Sequence, residues 1–277
     1  MSNNTIVTHI SPDLDAIASS WMIARYLPDW ESADHAFVPA GETLDNEPVD
    51  SKPNIIHVDT GLGRFDHHQL KVRSSATKRV FDYLAEEGHI KEKDILAVEH
   101  MVLIVTEIDN FGEVHFPDPT NDRYSFCLHE FVYPLRGLLS SDKELINMVF
   151  LILDSILFTV KNNIQAKKDI EAGLVMNTAW GKTVVMETKN EGAVKYALKS
   201  GYEMVVRRDP QTNHVRIKTQ PNKKYDLTAL YKKILKADPS ATWFLHISKN
   251  MLLNGSSKKP DSVPSSLSLK RLIAILK

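Results

Sequence analysis

The chain has 277 residues, 43% hydrophobic and 25% charged, with a formal net charge of −1. That is enough chain to bury two cores, and its single cysteine, Cys127, excludes a disulfide framework and suits a reducing, cytoplasmic compartment. The opening MSNNTIVTHI lacks the basic start and apolar core of a secretory leader, and the longest apolar run, Met148 to Val160, is short and broken by Asp154, so no membrane span or membrane partner is expected.

In chain order, Thr5 to Ile10 reads as a short apolar strand and Leu14 to Leu27 as a helix, which puts His9, Asp13 and Asp15 where strand turns into helix. A second strand, NIIHVDT, ends in Asp59, and Asp66-His67-His68 follows it. In an open parallel sheet, ligands bind beyond the carboxyl ends of the strands, and both segments deliver polar residues to that edge. Alone, an Asp-x-Asp pair is a helix cap and an Asp-His-His triplet a solvated turn. Together they gather carboxylate and imidazole ligands suited to a pair of divalent ions such as Mn²⁺ or Mg²⁺. Asp109, at the end of a helix rich in Ile, Val and Leu, is a further carboxylate candidate.

Strand and helix patterns alternate to about Gly112, and GEVHFPDPTNDRYS then reads as a loop. Helical patterns run from about Phe126 to Met176, with Met148 to Val160 as a core or interface helix. From Lys182 the pattern becomes KTVVMET, YEMVVRRD and HVRIKTQ, all strand-like, then a helix over Asp226 to Lys236, a strand at TWFLHIS and a terminal helix from Leu267. The expected fold class is α/β. A parallel-sheet metal-binding domain spans residues 1–125, a helical connection 126–181 and a smaller α/β domain 182–277, with the active site in the cleft between the domains. Charge divides similarly: residues 1–181 carry 15 Lys or Arg against 28 Asp or Glu, and residues 182–277 carry 19 against 7. An acidic half that binds cations beside a basic half that holds anions suits phosphate chemistry, although two such domains also simply attract one another.

The motifs resemble those of the DHH phosphoesterase superfamily, which includes RecJ-type nucleases, oligonucleotide phosphodiesterases and manganese-dependent pyrophosphatases. His9, Pro12, Asp13, Asp15 and Ala16 match its first motif, Asp59 its second, Asp66-His67-His68 its third and Asp109 its fourth. The resemblance covers roughly the first 110 residues. It implies that Asp59 bridges two Mn²⁺ ions, with Mg²⁺ as the other candidate. It implies further that His9 and Asp13 hold one ion and that Asp15, His67 and Asp109 hold the other. Two such ions, roughly 3.5 to 4 Å apart, acidify a water for in-line attack on phosphorus. Asp66 would act behind the ligands by fixing a His tautomer, and His68 would face the substrate, binding a phosphoryl oxygen or protonating the leaving group.

Many nuclease-like relatives carry a Gly-Gly-Gly-His segment in the second domain, and this sequence has none. Its nearest counterparts are WFLHISKN, around His246, and LLNGSSKK, with Lys258 and Lys259. FLHISKNMLLNGS together with Gln69 resembles the DHH exonucleases of the melanocyte proliferating gene type, whose first motif differs from SPDLDA. Arg207 and Arg208 end a strand, where at most one can face a cleft, because successive side chains point to opposite faces. Arg207, Arg208, His246, Lys258 and Lys259 are the expected substrate-binding residues, with solvated or interdomain roles as the alternative. His57 shares a strand side with Asp59 and reads as a supporting group or a satisfied core histidine. The expected function is metal-dependent hydrolysis of phosphodiester bonds in a nucleotide, short oligonucleotide or dinucleotide. The alternative is a pyrophosphatase or short-polyphosphate hydrolase, and a metal-bound sensor is a third reading. Expected partners are a phosphorylated small molecule or short nucleic acid, and a second copy of the chain in a homodimer.

Overall fold

The computed structural model describes residues 4–256 and 259–277. The chain forms two compact units, Met1–Val160 and Lys161–Lys277.

The first unit is built on a parallel sheet of β1 (Thr5–His9), β2 (Asp34–Val38) and β3 (Ile55–His57), in the order β2-β1-β3. Ile6 and Val7 of the central strand are fully buried, as befits a strand covered on both faces. The helices are α1 (Leu14–Tyr26), α2 (Ala76–Glu86), α3 (Glu92–Asp109), α4 (Leu128–Leu135) and the first part of α5 (Asp142–Glu171). The core joins Ile17, Trp21 and Ile23 of α1 to Val80 and Leu84 of α2, Val98 and Val102 of α3, and Ile146, Val149 and Leu153 of α5. Asp154, the charge that interrupts the longest apolar run, accepts the Trp21 indole N–H at 3.0 Å and pairs with Arg25, so a buried aromatic donor is satisfied from within α5. Among the described residues, no helix is long and apolar enough to cross a membrane.

The second unit holds a six-stranded mixed sheet of β4 (Leu174–Thr178), β5 (Gly181–Glu187), β6 (Met204–Arg208), β7 (Val215–Thr219), β8 (Trp243–Leu245) and β9 (Met251–Asn254), in the order β4-β5-β6-β7-β9-β8. β5 and β6 are parallel, as a pair joined through a helix must be, and that helix is α6 (Gly192–Lys199). Strand alternation splits the apolar side chains between two layers. Val184, Met186 and Val205 pack with Ala166 and Ile170 of α5 and with α6, whereas Val185, Met204 and Val206 pack with α7 (Thr228–Ala237) and α8 (Leu269–Leu276).

The expected α/β class describes both units. Several details differ from the sequence reading. Segment 126–181 is divided between the units, and its helical run stops at Glu171. Gly173 follows, and Leu174–Thr178 turns back as β4 onto β5, so apolar residues read as helix are strand. A run of β-branched and apolar residues has no period that separates a buried strand from a helix end. The sequence pattern does not announce α6, β2 or β9, and β3 stops at His57, two residues before Asp59.

Candidate metal centre

The carboxyl ends of β1 and β3 converge at one edge of the parallel sheet, and the motif residues meet there. His9 closes β1. Its Nδ1 lies 3.0 Å from the Ile10 carbonyl, a hydrogen bond that requires the proton on Nδ1 and leaves Nε2 as the free nitrogen, 3.4 Å from Asp59 Oδ2. Asp13 is the N-cap of α1: its Oδ1 accepts from the backbone N–H groups of Asp15 (2.9 Å) and Ala16 (3.0 Å). Capping engages Oδ1, and Asp13 still offers a ligand atom that lies within 4.8 Å of those of His9 and Asp59.

Asp15 is buried in the first turn of α1 and accepts from the backbone N–H groups of Ala76 (2.7 Å) and Thr77 (2.9 Å) at the start of α2. Burial and the nearby charges of Asp59 and Asp109 push its carboxyl up to about 8, although those N–H contacts and the helix dipole favour its charge. Asp59 sits past β3 with φ of 54°, in the left-handed region, which Asp tolerates better than a branched residue. It is 3% exposed. Burial acts to raise it, but His67 and His9 beside it outweigh burial and hold it below the usual carboxylate range.

The triplet follows a tight turn. Asp66, fully buried, accepts from Leu62 N–H with Oδ2 and from the backbone N–H and ring Nδ1 of His68 with Oδ1, the last at 2.8 Å. Its Oδ1 therefore holds the His68 ring, whose side chain is 61% exposed. Gln69 supports the turn by donating to the Leu62 and Gly63 carbonyls. His67 Nε2 stands 3.4 Å from Asp59 Oδ1, 3.5 Å from Asp109 Oδ2 and 3.6 Å from Asp15 Oδ2. Asp59 beside it raises His67 to about 9. Burial acts to lower His9, but its partnership with Asp59 outweighs burial and raises it to about 9 as well. Asp109, the last residue of α3, is pushed up to about 6, chiefly by burial.

Three groups of ligand atoms result: His9, Asp13 and Asp59; Asp59, His67 and His68; Asp15, His67 and Asp109. Asp59 and His67 each belong to two of them. Both Asp59 Oδ1 and His67 Nε2 are buried without a hydrogen-bond partner. Buried polar atoms in proteins are almost always satisfied, so two adjacent orphans between carboxylates fit a site that divalent cations complete.

The substrate-binding residues expected in the second unit are placed differently. Arg207 is almost fully buried, with its guanidinium donating to the Thr188 and Lys189 carbonyls and to Asp209. Arg208 donates to the Leu267 carbonyl, Glu187 and Asn213. Both guanidinia are occupied within the unit, as in the alternative to substrate binding. His246 pairs its Nδ1 with Ser248. Lys259 is exposed, and Lys258 lies outside the described residues. His57 is the satisfied core histidine, with Nδ1 on Asp50 and Nε2 accepting from Leu44 N–H.

Sequence reasoning missed the wall opposite the acids. A cavity of about 330 Å³ is lined by Asp13, Asp15 and Asp109 together with Phe111, His129, Tyr133 and Arg136. His129, Tyr133 and Arg136 come from α4 and its C-cap, and no spacing in VYPLRG announces that they reach the motif residues.

No protein-family model and no curated protein sequence matches the chain. Solved structures similar to it include an exopolyphosphatase-related protein from Bacteroides fragilis, 14% identical, covering 99% of this chain and 90% of that one at a TM-score of 0.29. RecJ from Thermus thermophilus, in complex with Mg²⁺, is 12% identical, with 99% and 55% covered and a TM-score of 0.31. A family II inorganic pyrophosphatase from Methanococcus jannaschii, described as putative, is 14% identical, with 98% of each chain covered and a TM-score of 0.23. At these identities and scores, the chemistry rests on the side chains alone.

Proposed function

We propose that this protein is a divalent-metal-dependent phosphoesterase that hydrolyses phosphodiester bonds of a nucleotide or short oligonucleotide. The observation that carries the reading is the shared membership of Asp59 and His67 in adjoining ligand groups, with one orphaned buried atom each. A shared ligand is what a pair of cations needs. Asp59 would be the shared ligand, with His9 and Asp13 holding one ion and Asp15, His67 and Asp109 the other, Mn²⁺ the expected metal and Mg²⁺ the second choice. Bound there, the cations supply an acidified water and neutralise charge on the phosphoryl oxygens.

The chain's own residues do the rest. Asp66 fixes the His68 ring through Nδ1, which leaves Nε2 to meet a phosphoryl oxygen or to give a proton to the leaving oxygen. Asp15 positions its carboxylate with two backbone N–H groups of α2, so it does not swing between rotamers. His9 is oriented by the Ile10 carbonyl. The second reading, hydrolysis of a phosphoanhydride such as pyrophosphate, uses the same ligands and differs in what surrounds them. A Mn²⁺-supported panel of bis-p-nitrophenyl phosphate, short RNA, cyclic dinucleotides and pyrophosphate separates the two. Turnover of the diesters is expected, and turnover of pyrophosphate alone overturns the proposal.

A further inference from the structure

We infer that the cavity beside the acid cluster seats one nucleotide of the substrate, with Arg136 on its phosphate and Phe111 and Tyr133 on its base; this rests on the phosphoesterase reading and names the substrate class within it. The cavity, about 330 Å³, lies at the lower end of the range for ligand pockets, roughly 300 to 1,000 Å³, and suits a single nucleotide rather than a strand.

Arg136 is the anion-binding element. Its Nη2 donates at 2.7 Å to the carbonyl of Pro12, the residue before Asp13, so the guanidinium is tied to the loop that carries two ligand carboxylates. It lies 5.4 Å from the Tyr133 ring centre. Its Nε is buried without a hydrogen-bond partner, and among the described residues no carboxylate pairs with it. Charge gives this cation a purpose. Asp13, Asp15, Asp59 and Asp109 carry −4 when ionised, which two divalent cations would cancel, and Arg136 then presents a positive charge on the cavity wall to an anion.

The aromatic rim discriminates between substrate classes. Phe111 and Tyr133 are each 75% exposed, and both border this one cavity. Phe111 has φ of 55° just past the C-cap of α3, the left-handed position that ends a helix, and its N–H donates to the Ile108 carbonyl at 2.9 Å. Scattered exposed aromatics need no explanation, but two at the mouth of a pocket that also holds an arginine without a carboxylate partner among the described residues form a stacking surface next to a phosphate site. Pyrophosphate has no ring to place there, and a nucleobase does.

Calorimetric binding of AMP and of ribose 5-phosphate to the Mn²⁺-loaded full-length protein tests this without turnover. AMP is expected to bind about tenfold tighter than ribose 5-phosphate, the margin that stacking supplies. Phe111→Ala with Tyr133→Ala should erase that margin and leave ribose 5-phosphate binding unchanged. Arg136→Gln should weaken both ligands about tenfold, as loss of a charged hydrogen bond does. Equal affinity for the two ligands in the wild type, or a margin that survives the aromatic double variant, overturns the proposal. Mn²⁺ content keeps the two readings apart. A missing margin at full Mn²⁺ occupancy sinks only the nucleotide pocket, whereas a wild type that binds no Mn²⁺ sinks the phosphoesterase reading and the pocket with it.

Discussion

Asp59 in the first unit and Asp238 in the second are both nearly inaccessible, at 3% and 2% exposure, and they live in opposite surroundings. Asp238 accepts from the Trp243 indole and the Ser265 hydroxyl with one oxygen, and from the hydroxyl and backbone N–H of Ser266 with the other. Burial acts to raise it, and those donors hold it below its ordinary range. Asp59 has two imidazoles at 3.4 Å, two neighbouring carboxylates that repel it and one oxygen with no hydrogen bond. The same contrast extends around each residue. Asp15 and Asp109 are pushed up, while Glu203, Asp209 and Asp226 in the second unit are all held down by their donors. A carboxylate whose lone pairs are filled by the protein serves the fold. Carboxylates crowded together and left open store repulsion that a cation relieves.

The largest expected effect comes from exchanging these two residues for their amides. Asp59→Asn should lower Mn²⁺-supported hydrolysis by more than about 100-fold, beyond what loss of an outer supporting partner costs. The fold should survive. Asp238→Asn should cost about 3 kcal/mol of stability in the second unit, because a charged acceptor of several hydrogen bonds is lost, with Mn²⁺ content unchanged. Kinetics, metal analysis and thermal unfolding read all of this. Unfolding caused by Asp59→Asn, or metal loss caused by Asp238→Asn, would erase the distinction between the two sites.

Metal should also stabilise. At 100 times its dissociation constant, Mn²⁺ adds about 2.7 kcal/mol and raises the first unit's midpoint by roughly 5 to 10 °C. A chelator should reverse the shift. A scan in which Mn²⁺ leaves the midpoint unchanged would show that the acid cluster holds no metal.

The pH dependence has a definite sign. His9 and His67 have folded values near 9, above their ordinary 6.5, so the stability they contribute is complete below about 6.5 and is lost as pH rises through 9. Asp15 and Asp109, raised from 3.8 to about 8 and about 6, act in the same direction, since the folded state binds more protons between those limits. His35, lowered by burial to about 4, opposes that loss between pH 4 and 6.5, so the metal-free first unit should lose stability mainly between about pH 6.5 and 9, and Mn²⁺ should flatten that slope by replacing protons. Denaturant unfolding at a series of pH values, with and without Mn²⁺, measures both slopes. A metal-free protein that becomes more stable over that range contradicts the repulsion described for the cluster.

The smallest effects separate the two kinds of cation in the second unit. Arg207→Ala should destabilise that unit by about 2 kcal/mol, because three acceptors lose a charged donor, without a specific effect on KM. Lys259→Ala should leave stability within about 0.5 kcal/mol, as for an exposed residue. If the exposed lysine guides an anionic substrate, its loss raises KM modestly, and the difference shrinks as salt screens the charge. An Arg207→Ala protein of wild-type stability with a raised KM would return that arginine to substrate binding.

The positions of the candidate site residues were legible in the chain alone. His9, Asp13 and Asp15 lie within a few residues of one strand end, and Asp59, Asp66 and His67 within a few residues of another, so local pattern and parallel-sheet topology suffice to bring them to one edge. Most strands of the second unit were legible too, because their β-branched alternation survives burial. The tertiary structure alone decided the remainder. Asp15 reaches Ala76 and Thr77 more than sixty residues away, Arg136 reaches Pro12 across 124 positions, and Phe111 and Tyr133 meet at one cavity from separate elements. It also turned Arg207 and Arg208 inward onto carbonyls of their own unit. A guanidinium at a strand end looks the same in sequence whether its donors face backbone or substrate. Only the positions of the acceptors, set by packing, tell the two apart.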